Sequence, residues 1–77
     1  MIAPALIRQN MEVLGSDGVH VGVIDHLEAN NEIRLARDDT DADGGHHYIP
    51  LDWVIHVEMK VHLNQPGDVA KARWAFH

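Results

Sequence analysis

Turn-forming residues cut this chain into short apolar runs. MEVL runs into GSDG (15–18), VHVGVIDHLE into ANN (29–31), EIRLAR into DDTDADGG (38–45), and HHYI into Pro50. Short apolar runs at such close spacing are the pattern of a small all-β barrel or sandwich. Asp17-Gly18 is a strong turn signal, because glycine takes positive φ at no steric cost.

Side-chain parity refines the strands. In VHVGVIDHLEA (19–29), Val19 and Val21 point one way, but the apolar beat then shifts to Ile24 and Leu27. A strand of period two cannot do this without an inserted residue, and Gly22 sits where the insertion is needed, so a bulge is expected there. A three-residue loop, Ala29-Asn30-Asn31, sets Leu27 opposite Ile33 and places Asn31 in the left-handed region that Asn tolerates. The following strand covers 32–37. HHYIPL is a further strand, and Pro50, lacking an N–H, marks an edge or a strand end. PLDWV turns tightly into IHVEMKVHL (55–63), a second hairpin around Glu58-Met59-Lys60. Its register opposes Val57 to Val61, Ile55 to Leu63 and His56 to His62.

The chain closes with NQPGDVAKARWAFH, read as a helix over 66–75 after an N-terminal segment (1–9) and a barrel (11–63). Asn64 or Gln65 can cap it, Pro66 suits a first turn, and Asp68 lies at the positive end of the dipole. Val69, Ala72 and Phe76 form a stripe with Trp74 beside it, suited to plugging a barrel end or meeting a second subunit.

Size limits what such a fold can do alone. The 77 residues make one domain, 1–77, and a chain this short buries only about 60% of its unfolded surface. With no cysteine, disulfides and thiolate zinc sites are excluded. Support must come from metal held by His and Asp, from oligomerisation, or from very good packing. The formal charge is −6, and the six Lys and Arg are scattered. Direct nucleic-acid binding needs a basic surface that displaces counterions, so none is expected, nor is binding to anionic membranes. No apolar run approaches the ~18 residues of a membrane span. The opening MIAPALIRQ is broken by Pro4 and Arg8, and a cytoplasmic location is expected.

Three segments carry a family resemblance: NMEVLGSDGVHVGVIDHLE (10–28), HHYIPLDWV (46–54) and KVHL (60–63). Together they resemble a bacterial domain of unknown function in the PRC-barrel-like group. That group takes in the photosynthetic reaction-centre H subunit and the C-terminal domain of a ribosome-maturation factor. Asn10 stands where the pattern has Gly, and both residues suit positive φ. The resemblance implies a compact barrel of about six short strands that serves as an adaptor or assembly domain, with no catalytic residues.

Three sets of side chains suggest chemistry. Asp39-Thr40-Asp41-Ala42-Asp43-Gly44 matches the first half of a calcium loop, whose alternate carboxylates converge on one ion. The twelfth position, where a bidentate Glu belongs, is Pro50, so an ordinary solvated turn competes with Ca²⁺ binding. His46 and His47 point to opposite faces of a strand and cannot chelate as a simple pair. One of them could join Asp41 or Asp43 on zinc; the plainer reading has His47 half-buried and bonded to backbone, with His46 solvated. His56 and His62, opposed across the second hairpin, can both reach one Zn²⁺, Ni²⁺ or Cu²⁺. Tyr48, Trp53 and Trp74 are assigned to packing, because a core this small needs its large side chains.

Enzymatic constellations are missing: Ser16 is the only serine and has no nucleophile-elbow motif around it. The expected function is a non-enzymatic protein-interaction or assembly module, homodimeric, with Val69, Trp74 and Phe76 at the interface. The alternatives are a small metal-binding protein using His56 and His62 or Asp39, Asp41 and Asp43, and a ribosome-associated accessory factor docked through protein.

Overall fold

A computed structural model describes residues 3–37 and 45–76, the last by its backbone alone. A 3₁₀ turn at Pro4–Leu6 leads into β1 (Glu12–Leu14), β2 (His20–Leu27), β3 (Glu32–Leu35) and β4 (His47–Pro50). A second 3₁₀ turn, Leu51–Trp53, precedes β5 (Val54–Val57), β6 (Val61–Leu63), an α-helix α1 (Gly67–Arg73) and a two-residue strand β7 (Ala75–Phe76). The strands form one mixed sheet in the order β5-β6-β1-β2-β3-β4-β7. Among the described residues only the β1–β6 pairing is parallel. The hydrogen-bonded order is linear, so strand pairing among the described residues does not close the expected cylinder.

Val13, Val21, Ile24, Ile33, Leu35, Ile49, Val61 and Leu63 form the interior, each at most 1% exposed. The bulges follow from where these residues fall. Val13 faces Gly22 while Leu14 faces His20, which leaves Val21 as the extra residue, next to the expected Gly22. Leu35 packs onto the Gly22 backbone: an added Cβ would lie 3.0 Å from Leu35 Cδ1. A second irregularity skips Asp25, with Ile24 opposite Leu35 and His26 opposite Arg34. One bulge cannot serve both Val21 to Ile24 and Ile24 to Leu27, because each step is an odd number of residues.

Both hairpin loops have the length parity requires. Leu27 faces Ile33, Asn31 has φ 63°, and Glu28 N–H donates to the Glu32 carbonyl at 2.8 Å. Asn10 also lies in the left-handed region, with φ 73°. In the second hairpin Val57 faces Val61 and His56 faces His62. The expected Ile55–Leu63 pair does not form; Leu63 faces Val54, and Ile55 is extruded and 59% exposed. The 3₁₀ turn delivers Val54 to the core, and Val54 and Val57 are again three residues apart.

The helix is shorter than the expected 66–75. After Arg73 the chain turns extended at Trp74 (ψ 156°), and Ala75 and Phe76 pair with Tyr48 and His47 of β4. A two-turn helix gains little from its own hydrogen bonds, whereas pairing extends the sheet. The stripe of Val69, Ala72 and Phe76 is thereby broken, and Ala70 is the helical side chain that reaches the core, at 0% exposure.

The helix cap is also remote from where the sequence placed it. Asp17 Oδ1 accepts the Gly67 N–H at 3.0 Å and the Val19 N–H at 3.2 Å. These donors hold the Asp17 carboxyl below its ordinary 3.8. Ser16 N–H donates to the Gln65 carbonyl at 2.8 Å. The β1–β2 turn thus seats on the start of α1, and the two backbones touch. A Cβ on Gly15 would fall 2.7 Å from Gly67 Cα, and one on Gly67 would fall 2.7 Å from Val19 Cγ1.

Gly15→Ala is therefore expected to destabilise by more than about 1 kcal/mol, lowering Tm by roughly 5 °C or more. Gly18 has φ 81° and open space around it, so Gly18→Asn, which also accepts positive φ, should leave Tm nearly unchanged. Thermal melts of the two variants make the comparison.

Candidate functional site

Two surfaces stand out, both built on the β5–β6 hairpin. The first is the outer face of the sheet. The registers set His56 beside His62, His62 beside Leu14, and Leu14 beside His20, in one row across four strands. Glu12, two residues before Leu14, receives a hydrogen bond from His20 Nδ1 at 2.7 Å and an ion pair from Lys60 Nζ at 3.1 Å. These two partners hold the Glu12 carboxyl below its ordinary 4.5, His20 first and Lys60 next, against the opposing effect of burial. Further along the row, His56 Nε2 donates to Glu58 at 2.8 Å. The His56 and His62 rings have centres 5.5 Å apart and planes tilted by 43°.

The second surface is an open groove of about 410 Å³ between the N-terminal segment and the hairpin tip. Leu6, Arg8 and Met11 line one wall; Val57, Glu58 and Met59 line the other. Ile7, only 8% exposed, pins the N-terminal segment to the core. The Asn10 N–H donates to the Ile24 carbonyl at 2.7 Å, and the Ile24 N–H to the Met11 carbonyl at 2.9 Å, so this segment continues the β1–β2 ladder. Leu6 is 46% exposed and Met59 89%. Sequence reasoning did not find this groove. The available signal was apolar Leu6 and Met59 placed outside the strand interiors, where folding alone does not require them.

The other expected site residues fall as follows. Asp39, Asp41 and Asp43 lie outside the described residues. Of the two adjacent histidines, His47 is half-buried as expected, whereas His46 is also half-buried and bonded to backbone instead of solvated. His46 Nδ1 donates to the Leu35 carbonyl at 2.9 Å, while His47 stacks on Trp74, with ring centres 3.9 Å apart and planes 17° from parallel. Trp74 also packs against the core, as does Trp53 at the Leu51–Trp53 corner, where the Arg73 guanidinium lies 5.5 Å from the ring centre. Of the expected interface residues, Val69 is 38% exposed on the helix. Among the described residues no three His, Asp or Glu side chains converge to hold a metal ion, and no helix is long and apolar enough to cross a membrane.

Compared with known families, residues 7–71 match the model of an uncharacterized protein family conserved in bacteria, DUF2171. The chain belongs to this family. The resemblance read from the sequence is thus correct at the level of a small bacterial domain of unknown function. No curated protein matches the chain.

The Glu12 cluster gives the acid response a sign. A carboxyl whose folded pKa is depressed stabilises the fold above its unfolded value, and that stability is lost as pH falls through the folded one. Wild-type Tm should therefore drop more steeply than that of Glu12→Gln as pH goes from about 6 to about 3. Parallel curves for the two proteins would remove the Glu12 contribution.

Proposed function

We propose that this chain is a non-enzymatic assembly module on a PRC-barrel-like fold, and that it pairs with a second copy of itself through the groove beside the β5–β6 hairpin. The barrel-like reading is supported by the core: the inward residues of β1 to β6 all join one cluster, so a single sheet wraps its own interior. The observation that carries the functional reading is the exposed apolar set on the groove walls, with Met59 at 89% and Leu6 at 46%. Unbranched methionine side chains repack readily around a partner. Arg8 and Glu58 both line the groove, so a two-fold axis through it would set Arg8 of one copy against Glu58 of the other. A domain of this size also gains from added buried surface.

Sedimentation velocity across the micromolar range tests the reading. A concentration-dependent dimer is expected, and Met59→Glu should weaken it by about tenfold or more. A strict monomer, or a dimer indifferent to both Met59→Glu and Leu6→Asp, would overturn the assignment.

A further inference from the structure

We infer that His56 and His62 form a two-imidazole surface site for a borderline divalent cation such as Zn²⁺, Ni²⁺ or Cu²⁺. The pair is set by backbone, not by chance contact of long side chains. His56 and His62 face each other directly, and the adjoining Val57–Val61 pair anchors the hairpin with Val61 at 0% exposure.

The ring spacing suits a shared ion. An imidazole nitrogen sits about 2.0–2.1 Å from zinc and the ring centre roughly 1.1 Å beyond it, so two rings on one tetrahedral ion have centres about 5 Å apart. The observed 5.5 Å needs only a small adjustment of two surface side chains. Glu58 supplies the outer-shell partner that metal-binding histidines commonly have. By accepting the Nε2–H of His56 at 2.8 Å, it fixes the tautomer with the Nδ1 lone pair left as donor.

The neighbouring histidines are set differently. His20 is engaged by Glu12, with Lys60 in the same cluster to repel a cation. His26 pairs with Glu28 at 3.7 Å, His46 is bonded to the Leu35 carbonyl, and His47 is covered by Trp74. The net charge of −6 favours cation approach. Two protein ligands leave the remaining positions to water, so the bound ion is exchangeable and its affinity moderate, with Cu²⁺ ahead of Ni²⁺ and Zn²⁺.

Calorimetric titration of the intact chain with each metal salt near neutral pH tests the site, with His56→Ala, His62→Gln and His26→Ala alongside. His56 is exposed, so its replacement leaves the fold intact. One saturable site is expected, weakened about tenfold or more by either of the first two substitutions and unchanged by the third. No saturable uptake at about millimolar metal, or uptake that neither His56→Ala nor His62→Gln alters, would overturn the inference.

Discussion

The parallel pairing of β1 with β6 joins the two halves of this molecule. Each of the other pairings from β1 to β6 links strands that follow one another in the chain, so local hairpin chemistry can set them. Val13 and Val61 are 48 residues apart by number, face each other in register, and have no exposed surface. Closing so long a loop costs conformational entropy before any contact rewards it. The reward comes from what the pairing aligns: the β1–β2 turn arrives at the start of α1, Asp17 caps Gly67, and Gly15 lets the backbones meet. The same pairing brings Lys60 to Glu12 and places the β5–β6 hairpin beside the strand that the N-terminal segment leads into. Both candidate sites depend on it.

The proposed surfaces lie at the exposed tip of the β5–β6 hairpin. The hairpin tip projects Met59 into solvent and carries Glu58, which lines the groove and also holds His56. The opposite end of the sheet is handled differently. There the chain turns back after Arg73 and lays Ala75–Phe76 along β4, while Trp74 covers His47. A two-residue final strand offers little backbone for a partner to extend, and the extruded Ile55 interrupts β5 at the other margin. Short or bulged margins discourage indiscriminate strand addition.

Much of the local fold was legible because parity is a strict rule. Leu27 opposite Ile33, Asn31 in the left-handed region, and His56 beside His62 all follow from keeping apolar residues on one face. The same parity rule accounts for two further irregularities: Asp25 and Ile55 are extruded because inward residues three apart each require an extra residue. The helix was overextended because Val69, Ala72 and Phe76 fit a helical stripe, while the competing β4 pairing has no local trace in the sequence. The Asp17 cap was invisible for the same reason, since its partner lies 50 residues away. The groove depends on the meeting of two distant segments, and no periodicity within either one announces it.

The groove between the N-terminal segment and the β5–β6 hairpin is the proposed surface for a second copy of the chain. Amide hydrogen exchange read as a function of protein concentration tests it most directly. Protection should grow with concentration at residues 6–11 and 57–60 while β2 and β3 stay unchanged. Exchange at those segments that is independent of concentration, or protection that grows elsewhere on the molecule, would contradict it.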